Sequence, residues 1–255
     1  MKANIKTIKE LAKKNYGVNA LLSKGTTNSK TAKNKEISYI LYMSPARQNF
    51  KSINLCPKAS AGCLLACLYT AGRGKFSNVQ QARTNKADYY VGDRSNFLIQ
   101  LSFEINKAIK NAKGAKVFFR LNGTTDIDLI GQLINRDLLN LETLPKNVHF
   151  YDYTAIIGKC LKYKNTPNYT LTFSRKEDNY NDYKIAIKEG INTAVVFNGK
   201  LPVLFSGQVV LDGDKSDLVM IGQKNICLGL IAKGEAKNDT SGFVVNKNFN
   251  LTTKI

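Results

Sequence analysis

The chain has 255 residues, 43% of them hydrophobic, enough for a sizeable core. Its 38 Lys and Arg stand against 19 Asp and Glu, a formal charge of +19. No apolar run nears the roughly 20 residues of a membrane span, and the lysine-rich start MKANIKTIKELAKKNYG lacks the apolar segment of a secretory signal. Neither a membrane protein nor a secreted one is expected, and a cytoplasmic location is expected. The charge favours anionic partners, with nucleic acid or a nucleotide first among them. Most lysines are scattered rather than striped, however, so the charge alone does not specify a partner.

In chain order, Ile5, Ile8, Leu11 and Ala12 fall on one face of a short basic helix over Ile5 to Lys14. The stretch SKGTTNSKTAKNKE, Ser23 to Glu36, reads as a flexible basic strap. Residues 1–36 are therefore expected to be an N-terminal appendage to a single domain spanning 37–255. ISYILYMSPA (37–46) is a continuous apolar run that predicts a buried strand. The cysteine-rich loop NLCPKASAGCLLACLYTAGRGKF (54–76) follows it.

Beyond the loop, the spacing of Leu98, Leu101, Ile105 and Ile109 predicts a helix that stops at Gly114. AKVFFRLNGTTD predicts a strand, IDLIGQLINRDLL a helix, NVHFYDYTA a strand and IIGKCLKYK a short helix. NYTLTFSR predicts a strand, DNYNDYKIAIKEG a helix and NTAVVFNG a strand. The pattern then loosens into PVLFSGQVVLDGDKSD and NICLGLIAKG, both read as strands. Strands alternating with helices at this spacing imply right-handed parallel units. The expected fold is α/β, a (β/α) barrel or partial barrel with parallel strands; an open doubly wound sheet is the alternative.

In either fold, functional residues gather after the strands. Three of the five cysteines, Cys56, Cys63 and Cys67, form a C-x6-C-x3-C pattern. Without a secretion signal, clustered cysteines point to metal ligation or reactive thiols rather than disulfides. Structural zinc calls for four ligands. The single histidine, His149, lies mid-strand, while Cys160 and Cys227 sit in apolar patterns. Three thiolates suit a [4Fe-4S] cluster with one open iron; Zn2+ and free thiols are the alternatives. A three-cysteine loop after the first strand of a parallel barrel resembles the layout of radical S-adenosylmethionine enzymes. That resemblance implies S-adenosylmethionine as a cofactor, although its usual spacing is C-x3-C-x2-C. Candidate groups for proton transfer or charge recognition are Asp126, Asp152 and Lys233. Candidate cofactor or substrate contacts are Arg73, Arg120, Asn122, Tyr151, Ser174 and Asp239. Polar residues at strand ends also cap helices and fill turns, which is the plain alternative for each. The run RKEDNYND, for its part, reads as a solvated helix start.

The blocks CPKASAGCLLACLYTAGRG, RLNGTTDI, FYDYTA, NYTLTFSR, AVVF and GLIAKGEAKNDTSGFV occur in this order. Together they resemble the gene product 88 family of phages and plasmids over about Ile37 to Val245. The resemblance implies a mobile-element origin and a host-cell cytoplasmic location, and it brings no activity with it. The family's cysteine motif maps onto Cys56, Cys63 and Cys67. The chain departs from the family at Ala155, where lysine is usual, and at Leu218 and Val219, where arginine is usual. Two readings follow: an iron–sulfur enzyme acting on a nucleotide or nucleic acid, and a basic nucleic-acid-binding protein, zinc-stabilised or metal-free.

Overall fold

The structure, a computed structural model, describes residues 4–25, 36–67 and 72–246. Most of the expected strap (26–35) and part of the cysteine loop (68–71) lie outside the described residues. The elements in chain order begin with α1 (Ile5–Tyr16), β1 (Leu22–Lys24), β2 (Ile37–Leu41) and α2 (Ala61–Leu65). Next come α3 (Ser77–Gly92), α4 (Arg94–Asn111), β3 (Val117–Arg120), α5 (Leu129–Ile134) and β4 (Val148–Thr154). Then follow α6 (Ile157–Tyr163), β5 (Tyr169–Ser174), α7 (Tyr180–Lys188) and β6 (Asn192–Phe197). The last strands are β7 (Leu204–Phe205), β8 (Gln208–Asp212), β9 (Ile226–Ile231) and β10 (Val244–Val245).

The chain divides into two compact units. One is Met1–Pro57, Leu68–Asp152 and Thr166–Tyr169; the other is Lys58–Cys67, Tyr153–Asn165 and Thr170–Ile255. The chain passes between them more than once, so no single linker marks the division.

In the first unit β2, β3 and β4 pair in parallel, and β1 pairs antiparallel with β2. Register explains the core. Tyr39 lies opposite Phe119, and Phe119 opposite Phe150, so three aromatic side chains project from one face of neighbouring strands. Their rings stack at 5.6 and 4.9 Å between centroids. The buried stripe of α4, Phe97, Leu98, Leu101, Ile105 and Ala108, has the 3.6-residue period that the sequence predicts. α1 buries Ile8 and Ala12 and ends at Gly17, whose φ of 68° suits a left-handed cap. By contrast, α3 was not legible in the sequence. Its apolar residues form no stripe, and those it buries (Ala87, Tyr89, Tyr90, Val91) are gathered in its last turns.

In the second unit the order is β5-β6-β9-β8-β7, with β10 also on β6. β6 pairs with β5 through residues 192–194 and with β10 through 196–197, so β10 takes up the edge that β5 leaves. The pairs β5–β6, β6–β9, β8–β9 and β6–β10 are parallel, and β7–β8 is antiparallel. The mainly parallel α/β expectation therefore holds. A closed barrel does not form: among the described residues β1 and β7 each pair with one strand only, whereas a barrel leaves no edge. Ser23 and Lys24, assigned above to the strap, belong to β1, where they pair with Ile40 and Tyr39.

Candidate functional site

In the first unit the turn after β3, Asn122 to Asp126, is tied down by its backbone. Gly123 N–H donates to Leu41 O (3.0 Å), and Asp126 N–H to Leu55 O (2.9 Å). The Thr124 hydroxyl donates to Met43 O (2.6 Å). A Cβ on Gly123 would lie 2.8 Å from Leu41 O and 2.5 Å from the Tyr42 ring, so only glycine lets these segments approach so closely. Asp152, 1% exposed at the end of β4, accepts from Asn122 N–H (2.7 Å) and Asn122 Nδ2 (3.0 Å). The Asn122 Oδ1 in turn accepts from the Thr125 hydroxyl (3.1 Å) and Ile127 N–H (3.0 Å). A buried carboxylate thus sets the conformation of the turn. Cys56 belongs to the same neighbourhood, its Sγ 3.7 Å from Thr124 O and its N–H bonded to Asn54 Oδ1. The structure so brings together Cys56, Asn122, Asp126 and Asp152. Arg120 is half-buried at the end of β3, Tyr151 is buried within β4, and Arg73 is exposed on a 3-10 turn at Gly72–Lys75.

In the second unit α2 carries Cys63, and Cys67 follows it. Ser60 caps the helix, its side chain accepting from Cys63 N–H (3.2 Å). Glu177 then holds the turn from outside: Oε2 accepts from the Ser60 hydroxyl and Oε1 from Gly62 N–H, both at 2.8 Å. A carboxylate beside the first N–H groups of a helix is favourably placed. Two neighbours of Glu177 complete the clamp. The Lys176 ammonium donates to Lys58 O and pairs with Asp178 at 3.2 Å. Arg175 Nη1 donates to Gly242 O (2.7 Å) and Phe243 O (3.0 Å). Burial lowers the Arg175 pKa, opposed by Tyr183, Glu177 and Asp239. Asp239 closes the adjoining loop by accepting from Ser241, Gly242 and Val244 N–H. Burial would raise its carboxyl, but these bonds and the Ser241 hydroxyl hold the pKa below its ordinary value.

From sequence the run RKEDNYND, which opens with Arg175, Lys176 and Glu177, reads as a solvated helix start, but the helix begins only at Tyr180. Arg175 is 6% and Lys176 3% exposed, and together the three clamp two loops. Three charged residues directly after a strand were the available signal, but the loops they clamp lie more than sixty positions away and no local pattern names them. Of the other expected residues, Ser174 is half-buried, its carbonyl accepting from Asn179 Nδ2, and Lys233 is an exposed partner of Asp214 at 2.7 Å.

None of the five cysteines is in a disulfide; Cys56, Cys63 and Cys67 are half-buried, whereas Cys160 and Cys227 are buried. Burial pushes the Cys227 thiol up to about 12, out of the range of a reactive thiolate. Desolvation lowers His149 to about 4, leaving it neutral near pH 7. Among the described residues no three His, Cys, Asp or Glu side chains form a ready metal site. Nor, among them, is any helix long and apolar enough to cross a membrane.

No curated protein and no solved structure matches the chain. The family model described as Gene product 88 matches residues 13–247, which takes in both clamped loops and all three half-buried cysteines. The chain belongs to the gene product 88 family.

Proposed function

We propose that the protein is an enzyme of a mobile element whose centre is built on Cys56, Cys63 and Cys67, with an iron–sulfur cluster as the group these thiols hold. One observation carries the reading. Of the five cysteines, the three in the motif are the half-buried ones, and side-chain bonds from Asn54, Ser60 and Glu177 fix the backbone at Cys56, Gly62 and Cys63. Thiolates are the donors that iron–sulfur clusters use, and three of them leave one iron open for a cofactor such as S-adenosylmethionine. Asn122, Asp126 and Arg120 are the candidates for orienting a substrate in the first unit. Protein purified without oxygen should be brown, contain iron and sulfide, and give an EPR signal on reduction. Colourless protein that stays free of iron after reconstitution would end this reading.

A second reading rests on the first unit's surface. α1 turns Ile8 and Ala12 inward and leaves Lys6, Lys13 and Lys14 exposed, in a chain of net charge +19. On this reading the protein binds nucleic acid through phosphate contacts, and affinity falls steeply with salt. Replacing the three lysines with glutamate should weaken binding to single- and double-stranded DNA and flatten the salt dependence. Unchanged binding would remove this reading.

A further inference from the structure

The orientation of α2 follows from what its residues touch. Gly62 faces the Glu177 carboxylate and the loop at Ser241 and Phe243; a Cβ there would meet Ser241 Oγ at 2.4 Å and Phe243 Cβ at 2.6 Å. Ala66, one turn on, packs against Ala232, Ala236 and Val244. Gly62 and Ala66 are therefore the packed face, and Leu64 and Leu65, 49% and 52% exposed, point away from it. Cys63 follows packed Gly62 by one position, about 100° round the helix, and Cys67 follows packed Ala66 just past the helix end. Both are half-buried. The turn is continued past the helix by Ala66 N–H to Gly62 O (2.9 Å) and Cys67 N–H to Leu64 O (3.4 Å). The two thiols are thus four residues apart, Cys63 within the helix and Cys67 just beyond its end.

We propose that Cys63 and Cys67 form a two-thiol site that takes a thiophilic divalent cation without help from Cys56. It is the preformed half of the cysteine centre. Two features support a built site rather than a chance pair. The helix is anchored by Ser60, Lys176 and Glu177, which fix the backbone at Cys63, and Cys67 N–H bonds back to Leu64 O. Its packed face uses glycine and alanine, which brings the helix close against the 239–243 loop and leaves both cysteines half-buried. On binding, each thiol gives up its proton as its sulfur–metal bond forms, so two protons are released per ion and water completes the coordination. No oxidation or reduction is involved. The inference rests on the reading of the cysteine loop as a ligand-bearing centre, but not on the identity of the group as an iron–sulfur cluster.

The test is a Cd2+ titration of the full-length reduced protein, followed by thiolate-to-metal charge-transfer absorbance and by proton release. The wild type and Cys56→Ser should both give the band with two protons released. Cys63→Ser and Cys67→Ser should each weaken binding by about tenfold or more, and Cys160→Ser should leave it unchanged. Circular dichroism of each variant separates loss of the site from loss of the fold. A Cys56→Ser protein that loses the band, or a Cys63→Ser/Cys67→Ser double variant that keeps it, would overturn the proposal. The cluster and the pair fail separately. Iron-free protein with Cys63- and Cys67-dependent Cd2+ binding removes the cluster alone, whereas a cluster-bearing protein whose Cd2+ binding needs Cys56 removes the pair alone.

Discussion

Replacing Asp152 with alanine is expected to cost about 3 kcal/mol of stability in the first unit, the largest effect of any single truncation at the strand ends. The carboxylate is 1% exposed and accepts both N–H groups that Asn122 offers it. Its removal leaves two buried donors without partners, and solvent cannot reach them without opening the core. Asp152→Asn separates charge from shape. Its carbonyl can keep one of the two bonds, but its amide would face the Asn122 amide, donor against donor. Asn122 cannot flip to relieve this, because its Oδ1 already accepts from Thr125 and Ile127. The asparagine variant should therefore fall between wild type and alanine, at about 1–2 kcal/mol. Urea denaturation at neutral pH measures the series. An alanine variant within about 0.5 kcal/mol of wild type would show that water replaces the carboxylate and that the network holds nothing together.

The alternation of strands and helices was legible because each parallel strand is an apolar run and each helix a periodic one. Ile37–Leu41, Tyr169–Ser174 and Asn192–Phe197 emerge close to where hydrophobicity places them. Closure was not legible. Whether a parallel series curls into a barrel depends on what its outer strands meet, and here they are met by the two-residue β7 and the three-residue β1, both too short to give a pattern. α3 escaped for the opposite reason: sixteen residues of sound helix propensity carry no apolar stripe, since only its last turns are buried.

The site divides in the same way. Apolar context separated Cys160 and Cys227, which are buried, from the half-buried Cys56, Cys63 and Cys67. Asn122 and Asp152 stood out because they lie at the ends of consecutive strands, and they prove to be bonded to each other. Glu177 was invisible, although it fixes the helix that bears Cys63, because its partners Ser60 and Gly62 lie 117 and 115 positions away. A charge next to other charges reads as solvent-facing until its partner is known. Lys176, 3% exposed, is the plainest case.

The same contacts invert the usual result of exchanging glycine for alanine. Within a helix, that change ordinarily gains about 1 kcal/mol. At Gly62 it should instead cost about 2 kcal/mol, because overpacking outweighs propensity. The added methyl would arrive 2.6 Å from Phe243 Cβ and 3.0 Å from Glu177 Oε1, as well as 2.4 Å from the Ser241 hydroxyl oxygen. Ser241 can rotate away, but Phe243 Cβ is anchored close to a backbone whose carbonyl is held by Arg175. Relief must then come from α2 lifting off the loop, which breaks the Gly62 N–H bond to Glu177 and carries Cys63 and Cys67 outward. Two readouts should move together: the second unit's stability falls, and native-state alkylation of Cys63 and Cys67 quickens while that of Cys227 does not. Glu177→Ala should reproduce the faster alkylation without any steric clash, and Glu177→Gln, which keeps a carbonyl for Gly62 N–H and an amide for the Ser60 hydroxyl, should largely prevent it. If Gly62→Ala proves as stable as wild type and its thiols react no faster, α2 is not seated on the 239–243 loop, and the packed face on which the two-thiol site depends is lost with it.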